Sequence, residues 1–355
     1  MKKKSYIINF LLIIGLTIFA LWFALKDNFR EVMHLLGNIK WYAFIFIIIY
    51  GLSYNLIIGL IYKILGKTYK AGYKYKEGVQ VAFVGAFFSG VTPSATGGQF
   101  AQAYIMKQQG IKISNGASIL WIDFIIYQSV MVAYSTILMI LKFSYYYTEH
   151  SSFFLLVLIG YVVNSMVILL LYTMAKFPKI YKRLSSWVVK LLARLKVVKD
   201  PVATITKWNL QLESFTNEIQ SIKQHKGMVV KCILLNVIRL TVLYSLPLFI
   251  AYTMGLNVGV DMLLDIITMS AFVNIANAFF PVPGASGGTE AAFMLIFSTL
   301  FATAEANSIM ILWRFSTYHM IIFIGGITFV YLKQKYDKRN STLINEEDYY
   351  EDRNL

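Results

Sequence analysis

The sequence has little of what a soluble enzyme or a secreted scaffold of 355 residues needs. Its one cysteine, Cys232, excludes an internal disulfide framework and a cysteine-based zinc site. The four histidines are scattered without the spacing of metal ligands, so we expect neither a metal nor a cofactor. Charged residues make up only 14% of the chain, well below the roughly one quarter that is usual in soluble domains. No catalytic nucleophile with its base can be assembled from the motifs.

Apolar residues are abundant instead, at 57% of the chain, with 16% aromatic. A soluble fold of this length cannot bury that much apolar surface, so we predict an all-α polytopic membrane protein. A full span needs about 20 mostly apolar residues. Six stretches qualify: about 6–25, 41–62, 116–141, 152–175, 229–254 and 307–332. The first resembles a signal peptide but lacks a small-residue cleavage site, so we expect a retained helix.

Two further apolar stretches, about 79–106 and 259–304, are interrupted by glycine and proline. These residues cannot sit together inside a continuous helix. Irregular backbone at membrane depth is tolerated only where it is buried in protein or lines a wet cavity. The residues assigned to the two breaks are Pro93, Gly97, Gly98 and Gln99 in the first, and Pro281, Pro283, Gly284, Gly287 and Gly288 in the second.

The distribution of positive charge predicts how these segments sit in the membrane. The net charge is +15, and basic residues mark cytoplasmic loops. Twelve Lys and Arg residues fall within 176–231, and the N-terminus, the 63–76 loop and the segment after Lys333 are also basic. All four can be cytoplasmic only if each interrupted segment enters and leaves on one face. We therefore predict six full spans plus two re-entrant helical hairpins from opposite faces, with both termini cytoplasmic and no nucleic-acid partner.

The two breaks resemble each other, which predicts an inverted repeat with units at about 41–141 and 229–332. Pro93-x-Ala95-x-Gly97-Gly98 recurs as Pro283-x-Ala285-x-Gly287-Gly288, and Leu120-Trp121 before Asp123-Phe124 is echoed by Leu312-Trp313-Arg314-Phe315. Inverted repeats with discontinuous helices are typical of secondary transporters. Chance similarity between short Gly/Pro motifs is the alternative.

These motifs, TPSATGGQFAQAY at 92–104 and FFPVPGASGGTEAAF at 279–293, resemble the lysylphosphatidylglycerol synthase transmembrane family. This flippase-like family is typified by the membrane half of the bacterial multiple peptide resistance factor. The resemblance implies a multi-pass transporter of the bacterial cell membrane that moves lysyl-phosphatidylglycerol or a related lipid outward, linked to resistance against cationic antimicrobials. Many relatives carry an acidic residue where this chain has Gln99, which argues against a charge-based role for the first hairpin.

Full-length synthases also carry a soluble domain that transfers lysine from tRNA, and we expect no such domain here. The chain divides into a transmembrane domain, 1–333, and an acidic tail, 334–355, whose composition predicts disorder. Within the first, the amphipathic segment 176–228 suits helices lying on an anionic inner leaflet. The expected partners are a membrane phospholipid as substrate, anionic inner-leaflet lipids, and either a second copy or a separate lipid synthase.

Four charged residues inside predicted helices are candidates for transport: Asp123, Arg239, Glu290 and Arg314. The two arginines can bind phosphate, because guanidinium matches it bidentately. Glu290 or Asp123 can receive a lysyl ammonium or carry a proton. The alternative is that these residues only form ion pairs that hold helices together. Nearby asparagines (Asn236, Asn274 and Asn277) are as suited to interhelical hydrogen bonds as to ligand contacts.

Two other functions compete with lipid transport. One is phosphatidylglycerol lysyltransferase activity, a name that the family often carries. The other is a non-transporting membrane subunit of a lipid or glycan synthesis complex, docked through the basic 176–231 segment.

Overall fold

The computed structural model describes residues 29–351, apart from 93, 94, 150, 196, 199 and 278–282. In this part of the chain the secondary structure is helical and contains no strand, which confirms the all-α prediction. The predicted span 6–25 and two predicted break residues, Pro93 and Pro281, lie outside the described residues.

Thirteen α-helices are described within these ranges. In chain order they are α1 (Phe29–Gly37), α2 (Trp41–Gly66), α3 (Tyr75–Val91), α4 (Thr96–Gln108), α5 (Ile113–Glu149), α6 (Ser151–Lys176), α7 (Pro178–Arg194), α8 (Pro201–Gln224), α9 (Lys226–Thr253), α10 (Leu263–Ala276), α11 (Gly288–Phe297), α12 (Thr303–Arg314) and α13 (Met320–Glu351). A π turn, Phe315–His319, joins α12 to α13, and the residues on both sides of it have helical backbone angles.

Five helical stretches are long and apolar enough to cross a membrane: α2, α5, α6, α9 and the combined α12–α13. They coincide with the five predicted spans that fall among the described residues. Large apolar side chains point outward from them, including Ile49, Ile140, Leu169, Val230 and Phe323. Helices that are apolar on all sides belong in a lipid environment. The total of six spans stays a prediction, because the first lies outside the described residues.

The first interrupted segment forms an antiparallel helical hairpin from α3 and α4. At its open end, Gln109 Nε2 donates to the Glu77 carbonyl over 3.1 Å. Halfway along, a Cβ on Gly85 would overlap the side chain of Gln102, so the two helices touch closely. The Tyr73 hydroxyl donates to Gln109 Oε1 over 2.7 Å, and burial raises the pKa of Tyr73, which keeps that donor protonated.

The second interrupted segment forms a hairpin from α10 and α11 that enters the bundle from the other end. Asp265, in the first turn of α10, pairs with Lys142 near the end of α5 over 2.6 Å. Because α5 begins beside the first hairpin and ends beside Asp265, the two hairpins approach from opposite ends. They meet in the middle, where α3 packs against Pro283–Ala285 of the second break. Beside this contact, the Tyr318 hydroxyl, from the π turn, donates to the Gly90 carbonyl over 3.2 Å. Insertion of the two hairpins into a membrane from opposite faces stays a prediction.

The amphipathic segment forms two helices, α7 and α8, that pack against each other. On α7, Ile180, Leu184, Trp187 and Leu191 are exposed at spacings of four, three and four, forming one apolar stripe. The helix forms the first part of the predicted amphipathic segment 176–228. The last helix, α13, continues to Glu351 and so extends into the predicted acidic tail. A helix already nucleated by an apolar span is extended at little cost.

The contact between α2 and α3 depends on two facing glycines. A Cβ on Gly78 would overlap the carbonyl oxygen of Gly59, whereas a Cβ on Gly72 would meet nothing within 4 Å. We expect Gly78→Ala to push the helices apart and lower the free energy of unfolding by about 1–3 kcal/mol. Thermal unfolding in detergent measures this, with Gly72→Ala as the matched control. Equal melting temperatures for the two variants would contradict the close contact.

Candidate functional site

The first break is built by Thr92 and Ala95. Helix α3 ends at Val91, and the Thr92 hydroxyl accepts a hydrogen bond from the Gly97 amide over 2.9 Å. Ala95 adopts a left-handed conformation, with φ of 54°, just before α4 begins. The helix therefore starts at Thr96, so Gly97, Gly98 and Gln99, which the sequence assigned to the break, lie in the first turn of α4. The glycines serve packing instead, since a Cβ on Gly98 would meet Ser89 and lie 2.9 Å from the Gly85 carbonyl.

The second break uses the same unusual backbone conformation. Gly284 (φ of 60°), Ala285 (φ of 49°) and Gly287 (φ of 84°) are all left-handed, and α11 begins at Gly288. A positive φ is uncommon for alanine. In the described part of the chain, Ala95 and Ala285 are the non-glycine residues with this conformation, and they hold matching positions in the two motifs. The backbone thus supports the repeat that the sequence predicts.

A direct buried ion pair joins the second break to α12. Arg314 Nε donates to Glu290 Oε1 over 2.7 Å, with side-chain exposures of 9% and 13%. The other carboxylate oxygen of Glu290 accepts the Gly287 amide over 2.7 Å. One Nη of Arg314 donates to the Gly284 carbonyl and to Ser286 Oγ over 3.2 and 3.4 Å. This pair therefore satisfies the polar groups that the break exposes, as the structural alternative expects.

A cavity of about 620 Å³ lies where the two breaks meet. Ala95 contributes to its wall from the first break, and Gly284 and Ala285 from the second. Arg314 lines it, with the guanidinium 4.2 Å from the centre of the Tyr318 ring. The remaining wall is rich in small polar side chains, namely Asn55, Ser89, Asn274, Asn277, Thr289 and Thr317. The volume falls within the range of about 300–1,000 Å³ that is usual for small-molecule sites.

The other two predicted charges, Asp123 and Arg239, lie apart from this cavity. Their closest nitrogen and oxygen atoms are 4.0 Å apart, and both side chains are buried. Neither residue lines the cavity, although Arg239 stacks 5.5 Å from the centre of the Tyr54 ring, which does. The structure thus brings the four predicted charges together as two pairs, and only Arg314 among them reaches the cavity wall.

The remaining predicted residues divide between wall, packing and surface. Asn274 and Asn277 line the cavity, while buried Asn236 donates to the Cys232 carbonyl of its own helix. Gln99 is exposed on the first turn of α4 and takes no part in the wall. Tyr54 and Tyr318 were missed by sequence reasoning, because in a chain with 24 tyrosines no motif distinguishes them. Among the described residues, no three His, Cys, Asp or Glu side chains gather into a metal site.

Comparison with known proteins identifies the family. The model of the lysylphosphatidylglycerol synthase TM region matches residues 7–325. The chain belongs to this family. A UPF0104 membrane protein of Archaeoglobus fulgidus is 20% identical over 308 residues, which cover 85% of this chain and 91% of the relative. The match confirms the resemblance inferred from the two motifs, and membership in this family together with the five apolar helices places the protein in a membrane.

The ion pair at the second break makes a prediction about stability. We expect Glu290→Gln to lower the free energy of unfolding by about 3 kcal/mol, because it leaves the Arg314 guanidinium buried without its counter-charge. Glu213→Gln, which breaks the exposed Lys182–Glu213 pair, is the matched control and should cost less than about 1 kcal/mol. Thermal unfolding of the purified variants measures both. Equal losses would show that the break does not depend on this pair.

Proposed function

We propose that this protein moves lysyl-phosphatidylglycerol or a related lipid between the two leaflets, with the lipid headgroup held in the cavity between the two breaks. The observation that carries the proposal is a cavity, lined by Arg314 and several small polar side chains, at the meeting point of two helical hairpins from opposite ends of the bundle. Membership in the lysylphosphatidylglycerol synthase TM family supports this class of substrate.

The cavity wall offers complementary chemistry for such a headgroup. Arg314 supplies a guanidinium for the phosphate, which it can bind with charge-assisted hydrogen bonds. The lipid's lysyl ammonium finds carbonyl acceptors, such as the Asn277 side chain, and the aromatic faces of Tyr54 and Tyr318. Glu290 neutralises the charge of Arg314. The protein therefore contributes no net positive charge to the site from this pair when the headgroup is bound.

The lipid tails have a path along the same helices. A groove of about 480 Å³ lies between α2, α3 and α13, each of which also lines the cavity. Its wall is mainly apolar, with Leu56, Val79, Phe83 and Ile327 among its residues. Lys76 lies at the end of the groove nearest the start of α3. A headgroup in the cavity can therefore keep its acyl chains in an apolar surrounding.

In this proposal the two hairpins are re-entrant and open toward opposite faces, and both termini are cytoplasmic. Alternate movement of the hairpins relative to the bundle then exposes the cavity to one leaflet after the other, as in other inverted-repeat transporters.

Filling the cavity should stop transport. Ala86 lines the cavity, whereas Ala117 is exposed on α5, so Ala86→Trp and Ala117→Trp form a matched pair. We expect purified wild type and Ala117→Trp in liposomes to bring fluorescent lysyl-phosphatidylglycerol within reach of an external quencher. Ala86→Trp should reduce that rate at least tenfold, because the indole occupies the space of the headgroup.

The same assay separates the competing functions. If wild type moves no lipid but forms lysyl-lipid when charged tRNA is added, the protein is a lysyltransferase. If it does neither, the scaffold function is favoured. Equal rates for Ala86→Trp and Ala117→Trp would contradict a headgroup site in this cavity.

Cysteine labelling tests the orientation of the hairpins. The buried Cys232 is first replaced by alanine, and single cysteines are introduced at Lys112 and Asn257, two exposed positions at the open ends of the first and second hairpins. We expect a membrane-impermeant maleimide added to intact cells to label Asn257→Cys and to label Lys112→Cys only after lysis. Labelling of both positions from one side would contradict opposite orientations.

A further inference from the structure

A second buried polar centre, formed around Asp123 and Arg239, has unsatisfied bonding capacity. Asp123 Oδ1 and Arg239 Nε have no hydrogen-bond partner, although both atoms are buried. The distance of 4.0 Å between the two groups is longer than a hydrogen bond. The contrast is Glu290, whose two oxygens both accept bonds of 2.7 Å. Of the two carboxylates that the sequence offered as proton carriers, Asp123 is the loosely held one.

Phenols from neighbouring helices surround this centre. The Arg239 guanidinium lies 4.1 Å from the centre of the Tyr127 ring and 5.5 Å from that of Tyr54. The Tyr62 hydroxyl hydrogen-bonds Asp123 and accepts a bond from Gln102 Nε2 over 2.9 Å. The titratable and charged groups around Asp123 in the described chain are therefore Arg239 and Cys232 on α9, Tyr54 and Tyr62 on α2, and Tyr127 on α5.

The centre around Asp123 and Arg239 connects the two repeats, the first hairpin and the cavity, which are the parts that move relative to one another in the proposed transport. Asp123 belongs to the first repeat and Arg239 to the second, so the pair bridges them. Through Tyr62 it reaches Gln102 on the first hairpin, and through Tyr54 it reaches the cavity wall. A change in the charge of Asp123 thus alters contacts that involve both repeats, the first hairpin and the wall of the cavity.

Two arrangements of this centre are accessible on chemical grounds. With Asp123 ionised, the carboxylate draws Arg239 toward it and across the repeat boundary. With Asp123 protonated, that attraction is lost, and the guanidinium keeps its contacts with the faces of Tyr54 and Tyr127. A buried carboxylate that lacks full partners is costly in its charged form, so protonation is a favourable way to release it.

We propose that Asp123 takes up a proton from one face of the membrane and releases it to the other during each transport cycle. The carboxyl group is paired with Arg239 when it is ionised and carries the proton when that pairing is lost. The proton comes from water and returns to water, and only the O–H bond on the carboxyl group forms and breaks. This coupling rests on the proposed lipid transport, which it makes responsive to a proton gradient.

Infrared difference spectroscopy reads the proton without requiring transport. Lowering the pH of the purified protein should produce the carbonyl stretch of a buried protonated carboxyl group. We expect that band in wild type and in Asp265→Asn, which removes the carboxylate paired with Lys142 at the far end of the bundle. It should be absent from Asp123→Asn. A pH-induced band that persists in Asp123→Asn, or its absence from wild type, overturns the proposal.

Liposomes with an imposed pH gradient test the coupling. Wild type and Asp265→Asn should accumulate labelled lipid in one leaflet by at least threefold, with the direction set by the gradient, and Asp123→Asn should show no such bias. If Asp123→Asn does not fold, Asp123→Asn/Arg239→Gln removes both charges together and leaves neither one buried alone. That double variant should likewise lose the infrared band and the bias.

The results distinguish the two proposals. A bias that persists in a folded variant without Asp123 overturns the coupling and leaves lipid transport intact. A wild type that moves no lipid but shows the Asp123 band overturns lipid transport and supports proton binding.

Discussion

The architecture depends on satisfying backbone polar groups where helices stop inside an apolar surrounding. Each break leaves backbone amides and carbonyls without helical partners, and each supplies partners of its own. In the first break, the Thr92 hydroxyl accepts a hydrogen bond from the Gly97 amide. In the second, Glu290 accepts one from the Gly287 amide, and Arg314 donates to the Gly284 carbonyl and to Ser286 Oγ. The cavity lies where these two stabilised interruptions come together.

The two buried ion pairs differ in the distance between their charged groups, and therefore in the roles that they can have. Glu290 and Arg314 are in direct contact and use their remaining bonding capacity on the second break. Asp123 and Arg239 are farther apart, leave atoms unsatisfied and join different repeats. The first pair suits a fixed wall that still presents a guanidinium to the cavity. The second suits the proposed proton exchange, in which the contact between Asp123 and Arg239 forms and parts.

Sequence reasoning located the spans and the breaks, because length, hydropathy and the chemistry of proline and glycine are local properties. It extended the first break too far, to Gln99, since the left-handed turn falls on Ala95, a residue type that carries no such signal. It named all four buried charges but left their pairing open, because 116 residues separate Asp123 from Arg239. It did not predict that Tyr54 and Asn55 line the cavity, because only tertiary contacts distinguish them from the many other polar side chains.

The π turn at Phe315–His319 breaks the equivalence of the two halves. In the first half, α5 continues as a regular helix through the matching stretch. The wider turn changes the angular position of every later side chain on α13, and it is the segment from which Tyr318 reaches across to Gly90. The corresponding stretch of α5 has no such turn, so side chains at matching positions of the two predicted repeat units face different directions, and the two halves are not interchangeable.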